Sequence, residues 1–144
     1  MNIAFFLTPK SQISFLYDDF TLRQGLETMR YHGYSSIPVI TREGKFIGTI
    51  SEGDFLWYLI DNKNEEPYKL DMKGAERTKI KDILQPDKNS PVRITEPVET
   101  LLKKSEKQNY IPVIDDFDSF IGIITRKNII KYFRENFGTL EEHR

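Results

Sequence analysis

The stretch Ile37-Pro38-Val39-Ile40-Thr41-Arg42-Glu43-Gly44-Lys45-Phe46-Ile47-Gly48-Thr49-Ile50-Ser51 decides the fold, because most of it is written twice. Ile37-Pro38-Val39-Ile40 returns as Ile111-Pro112-Val113-Ile114. Phe46-Ile47-Gly48-Thr49-Ile50-Ser51 returns as Phe120-Ile121-Gly122-Ile123-Ile124-Thr125, both at a spacing of 74 (37 to 111, 48 to 122). Each copy is two short apolar, β-branched runs around a polar turn, the pattern of a β-hairpin. Further upstream, Ile3-x-x-Phe6-Leu7-x-Pro9 matches Ile80-x-x-Ile83-Leu84-x-Pro86 at a spacing of 77, so the second copy is three residues shorter between its two prolines. A period this long, present only twice, is not a solenoid. It reads as two similar half-units packed on each other, and clefts between halves are where small ligands tend to sit.

Around each hairpin the same order of elements recurs. In the first copy, residues 13–16 are a strand candidate. Thr21-Leu22-Arg23-Gln24 has capping-box spacing. The helix it opens runs to about His32, with Leu22, Leu26 and Met29 on one face and Gly33 as C-cap. Strands at 36–40 and 45–50 follow, and Ser51 opens a helix to about Asp61. The second copy has a strand at 92–95, a helix with Pro97 placed at its first position, and strands at 110–114 and 119–124 around the acidic turn Asp115-Asp116-Phe117-Asp118. A helix from Thr125 to about Phe137 completes it, with Gly138 ending the helix. Each unit is thus strand-helix-strand-strand-helix, so the sheets are mixed and the fold class is α+β. The organisation expected is a first repeat at 1–61, a linker at 62–79 with one helical turn, a second repeat at 80–138 and a flexible tail at 139–144.

Composition narrows the function classes. With 144 residues the chain is one domain's worth of protein, and each half alone would bury a marginal core. A net charge of −1 gives no basic field for nucleic acid. The absence of cysteine removes disulfide and thiolate chemistry and fits a reducing, cytoplasmic setting. The apolar start, Ile3 to Leu7, is too short to span a membrane and lacks the features of a signal peptide. His32 and His143 are the only histidines, with no second ligand cluster beside either, so no metal site is expected. No nucleophile–base pair or Gly-rich phosphate loop is visible, so no catalytic residue is assigned and no cofactor is required.

The repeated Ile-Pro-Val-Ile, followed after the hairpin by Ile-Gly-x-Ile and then Ser51-x-x-Asp54 or Thr125-x-x-Asn128, resembles the cystathionine-β-synthase (CBS) domain family. More specifically, it resembles a tandem pair forming one Bateman module. The resemblance covers nearly the whole chain outside the linker and tail. It implies two β-α-β-β-α repeats related by a pseudo-two-fold axis, with up to two adenine nucleotides in clefts between them. It also implies that Asp54 contacts ribose hydroxyls and Ser51 a phosphate, while backbone around Ile37-Pro38 and Ile111-Pro112 reads adenine. Thr125 and Asn128 match the second motif with one departure, Asn for Asp, and a neutral amide accepts from ribose less strongly than a carboxylate. The family also implies a homodimer through the helices at 51–61 and 125–137.

Read without the family, Ser51-x-x-Asp54 and Thr125-x-x-Asn128 are ordinary helix caps. The two roles are compatible, since a capped helix start is also an anion site. The discriminating residues come next. Glu52 suits a helix N-terminus, whereas Arg126-Lys127 does not, at a cost of roughly 0.3–1 kcal/mol per cation. A phosphate bound there would reverse the sign. Thr125, Arg126 and Lys127 are therefore candidates for a phosphate site, with Asp54 holding a ribose. Charge reversal at Arg126 is expected to abolish nucleotide binding and leave the fold intact. Lys10, after Thr8-Pro9, is either a phosphate or base contact or a solvated lysine. Ser35 and Ser36 are adenine contacts or turn hydroxyls. Tyr110 stacks on a base or packs at a strand start. Trp57, Tyr58 and Tyr132 lie off the apolar faces of the last helix in each copy. They either form the dimer interface or pack under the linker.

The function expected is a regulatory sensor of AMP, ADP, ATP or cyclic di-AMP acting on a target protein of unknown identity. The alternative is a nucleotide-independent dimeric scaffold. One acidic and one basic helix start suit an extended two-phosphate ligand at least as well as two AMP molecules.

Overall fold

Thr21 opens the first long helix through a complete capping box. Its hydroxyl accepts from Gln24 N, and the Gln24 side chain accepts from Thr21 N. Gly33, in the left-handed region at φ 68°, closes it. These signals hold in the computed structural model of the chain, which describes residues 2–61, 72–85 and 88–142. Pro86, Tyr68, Leu70 and His143 lie outside the described residues.

In chain order the elements are β1 (Thr8–Pro9), β2 (Leu16–Tyr17), α1 (Leu22–His32), β3 (Ser36–Ile40), β4 (Phe46–Ser51) and α2 (Glu52–Asp61). Then come α3 (Met72–Arg77), α4 (Ile80–Ile83), β5 (Val92–Arg93), α5 (Val98–Ser105), β6 (Tyr110–Ile114), β7 (Phe120–Thr125) and α6 (Arg126–Glu142), with 3-10 turns at Ile3–Phe6 and Lys10–Gln12. Both repeats show the expected strand-helix-strand-strand-helix order. Several boundaries differ from expectation, the strand expected at 13–16 being Leu16–Tyr17 and that expected at 92–95 stopping at Arg93. Pro97 is the N-cap of α5 rather than its first residue. The last helix continues through Gly138 to Glu142, because a single glycine costs only about 1 kcal/mol in a helix and Thr139-Leu140-Glu141-Glu142 contains good helix formers.

The chain forms two compact units, Ser14–Lys88 and Met1–Ile13 with Asn89–Arg144. The first holds a three-stranded sheet, β2-β3-β4, with β2 parallel and β4 antiparallel to β3. Its core is Leu16, Leu22, Met29, Ile37, Val39, Ile50, Phe55 and Ile80. The stripe of α1 facing that core is Leu22, Gly25 and Met29, while Leu26 is exposed. The reason is steric: a Cβ on Gly25 would lie 2.7 Å from Ile80 Cδ1, so the glycine admits α4 where a leucine would exclude it. α3 is the helical turn of the linker, and Thr78 just beyond it accepts Leu22 N through its carbonyl.

The second unit holds a four-stranded mixed sheet, β1-β7-β6-β5. Its core is Ile3, Phe6, Val92, Leu101, Ile111, Val113, Ile124 and Ile129. The repeated sequence produces repeated registers. Val39 faces Gly48 and Val113 faces Gly122, and each hairpin is irregular at the next residue.

The units do not follow the repeats. Thr8–Pro9, at the start of the first repeat, pairs with β7 of the second. Gln85, from the matching upstream motif of the second repeat, bridges to Thr49 in β4 of the first. Each upstream motif thus lies beside the hairpin of the other repeat. Among the described residues no helix is long and apolar enough to cross a membrane.

Candidate functional site

Each unit places its helix-start motif where a hairpin strand runs into a helix, and the two motifs make different bonds. At the β4–α2 junction the carboxylate does the capping. Asp54 Oδ2 accepts from Ser51 N at 2.8 Å and from Ser51 Oγ at 3.1 Å. The other oxygen, Oδ1, accepts from Lys88 Nζ at 2.6 Å, and the same ammonium lies 3.2 Å from Ser51 Oγ. The Asp54 side chain is only 1 % exposed and that of Lys88 is 43 % exposed. A buried carboxylate is costly without charge-assisted partners, and here every partner is supplied locally. Asp54 also lines a cavity of about 250 Å³ with Trp57, Tyr58, Asp82, Ile83, Leu84 and Gln85.

At the β7–α6 junction the hydroxyl does the capping. Thr125 Oγ1 accepts from Asn128 N at 3.1 Å. The Asn128 amide is thereby free of the cap and donates through Nδ2 to Thr8 Oγ1 at 3.1 Å, tying α6 to β1. The neutral amide at 128 thus has a local partner of its own in the Thr8 hydroxyl.

Arg126 is engaged away from Thr125. Its Nε donates to Ser105 O at 2.9 Å and its Nη2 to Gln108 O at 3.3 Å, at the carbonyl end of α5. A cation is favourable there, so the unfavourable position at one helix start is offset at another helix end. Arg126→Glu therefore removes two bonds to backbone as well as any anion contact, and it would not leave the fold untouched. Lys127 is exposed at the first turn of α6.

The backbone around both motifs is equivalent. Ser35 O accepts from Glu52 N and Asn109 O from Arg126 N, each at 3.0 Å. Ser36 stands opposite Ser51, and Tyr110 opposite Thr125. Ile37, Pro38, Ile111 and Pro112 are buried in their strands. Tyr110 is 8 % exposed, and its carbonyl accepts from the Asn89 and Gln108 amides, so its ring packs within the unit. Lys10 sits beyond β1, in the turn that packs against β7. His32 contacts Ser14 Oγ through Nε2 at 2.8 Å.

The apolar faces of the last helices are also redistributed. Phe55 and Ile129 are core, whereas Leu56, Ile60 and Ile130 are exposed. Tyr132, read as lying off the core face, packs edge-on against Phe6 with ring centroids 4.9 Å apart. Tyr58 reaches Thr78 Oγ1 at 3.0 Å, which is the packing under the linker. Trp57 remains 59 % exposed.

Two residues of these clusters were missed in the sequence. Thr8 was overlooked in favour of its neighbour Lys10. Lys88 lies two positions beyond Pro86, as Ser11 lies two beyond Pro9, so the matched prolines were the available signal.

Comparison with known proteins accounts for both repeats. The description "CBS domain" matches residues 8–61 and 80–135. An uncharacterized protein of Methanocaldococcus jannaschii is 25 % identical over 145 residues, covering 81 % of this chain and 83 % of its own length. The crystal structure of CbpB in complex with c-di-AMP is 25 % identical, covering all of this chain and 91 % of its own with a TM-score of 0.88. A CBS domain protein from Streptococcus pneumoniae TIGR4 is 27 % identical, covering 92 % of this chain and 86 % of its own with a TM-score of 0.79. With both hairpins, both helix-start motifs and most of the length matched, the chain belongs to the CBS domain family and carries two copies of that domain in tandem.

Proposed function

We propose that this chain is a regulatory module that binds an adenine nucleotide and changes conformation or partner affinity in response. Asp54 carries the reading. A cap does not require burial, yet this carboxylate is almost fully buried beside an ammonium at a helix start. Ribose hydroxyls donate to such a carboxylate, and a phosphate complements both the ammonium and the helix N-terminus. Thr125 and Asn128, with Lys127 beside them, are the corresponding contacts in the other unit. Backbone near Ile37-Pro38 in the first unit and near Ile111-Pro112 in the second meets adenine, with Ser35 and Ser36 as further contacts in the former and Lys10 in the latter.

Cyclic di-AMP is the first ligand to test, since CbpB is solved with it. AMP, ADP and ATP follow. The role is regulatory and not catalytic, and binding regulates because two states of the module differ in nucleotide affinity. Cyclic di-AMP at about 100 times its Kd is expected to raise stability by about 2.7 kcal/mol. For a chain of this size that is a Tm increase of roughly 6–10 °C. A melting curve unmoved by all four nucleotides would remove this reading.

A second reading, an interaction scaffold, is favoured by the surface of the last helices. α2 leaves Leu56 57 %, Trp57 59 % and Ile60 40 % exposed, and α6 leaves Ile130 58 % and Phe137 52 % exposed. Side chains of this size gain about 25 cal/mol per Å² when covered, and a second copy of the chain covers them in a homodimer. Trp57→Glu is expected to shift sedimentation from dimer to monomer. A wild-type chain that sediments as a monomer contradicts the dimer.

A further inference from the structure

Both carboxylate oxygens of Asp54 are engaged, and one of their partners is replaceable. Ser51 N and Oγ hold Oδ2 from the adjacent chain, and they move only if the start of α2 moves. Lys88 holds Oδ1 at 2.6 Å from 34 positions further along the sequence, on a flexible stem that is 43 % exposed. Its ammonium can move into water without uncovering apolar surface. The carboxylate, 1 % exposed, cannot do without a donor in its place. Oδ1 could accept a second donor, but the side chain is almost wholly covered and the ammonium sits against that oxygen, so a ribose hydroxyl reaching Oδ1 has to move Lys88 aside.

That exchange has different consequences for different ligands. A nucleoside brings a hydroxyl and nothing for the displaced ammonium, so a charge-assisted contact is lost for a neutral donor. A nucleotide carries a phosphate within a few bonds of the same ribose, inside the sweep of a four-carbon lysine stem, and a lysine binds phosphate as a point charge. We propose that Lys88 is a specificity-determining residue, making the Asp54 site select phosphorylated nucleotides and reject nucleosides. The inference rests on the nucleotide reading above and assigns the source of its selectivity.

The experiment is calorimetric titration of wild type, Lys88→Met and Lys88→Arg with adenosine, AMP and cyclic di-AMP. In Lys88→Met, adenosine is expected to bind more tightly and the two phosphate-bearing ligands less tightly. The preference for phosphate over nucleoside should fall by about tenfold or more, while Lys88→Arg keeps most of it. If Lys88→Met does not fold, Lys88→Gln, which keeps a neutral donor for Asp54, takes its place with the same expectation. An unchanged preference in the uncharged variant overturns the role of Lys88 and leaves the nucleotide reading standing. A folded wild type that binds none of the three overturns both.

Discussion

Asp54→Ala is expected to lower cyclic di-AMP affinity by about 100-fold or more, equivalent to about 2.7 kcal/mol. In the proposed nucleotide site the carboxylate gives a ribose hydroxyl a charge-assisted acceptor shielded from water. The fold is expected to survive. The variant loses the acceptor for Ser51 N, a capping bond worth about 1 kcal/mol, and it frees a lysine already 43 % exposed. Asp54→Asn separates the two effects. The amide keeps an acceptor for the cap but not the charge, and it is expected to retain stability while losing most of the affinity. Calorimetry on both variants, with circular dichroism to verify folding, reads this directly. Wild-type affinity in Asp54→Ala would move the ribose site elsewhere.

Gly122→Ala is expected to be the most destabilising conservative change in the chain, by about 2–3 kcal/mol. A Cβ there would lie within van der Waals overlap of Thr8 O and Leu7 Cδ1, and 3.1 Å from Pro9 Cα. Two of those atoms are backbone of the crossing segment, so relief requires β1 to leave the sheet, taking with it the Thr8 hydroxyl that holds Asn128. Gly48 in the other hairpin has φ 159° against 158° at Gly122, so any conformational strain is shared. Its nearest atoms, at 3.2 Å, all belong to the Leu84 side chain, which can rotate away. Gly48→Ala is therefore expected to cost about 1 kcal/mol. Urea denaturation of the two variants measures the difference. Equal losses would mean that strain at the shared φ, and not the β1 crossing, sets the requirement for glycine.

What was legible in the sequence was whatever local chemistry alone decides. The hairpins at Ile37–Ser51 and Ile111–Thr125 could be read because β-branched runs, turn residues and repetition agree. The capping box at Thr21 and Gln24 could be read because both partners lie within one helical turn. What was not legible depends on contacts between distant segments. Hydrophobicity favoured Leu26 for the core, but the close approach of Ile80 gives that place to Gly25. Arg126 and Lys127 suggested a waiting anion, yet the carbonyls that hold Arg126 belong to residues 105 and 108. The upstream proline motifs were read with the repeats they precede, whereas β1 pairs with β7 and Gln85 bridges to Thr49. Ser51 and Asp54 stood out as a motif. Lys88, which completes their cluster, lies in an unpatterned turn whose only sequence mark is a proline two residues before it.

Calorimetric titration of the purified wild-type chain with cyclic di-AMP, AMP and ATP tests whether its helix-start motifs bind an adenine nucleotide. Micromolar or tighter binding of at least one of them, lost in Asp54→Ala, is expected. Flat titrations with all three, from a protein shown to be folded, would contradict it and leave the interaction scaffold as the function.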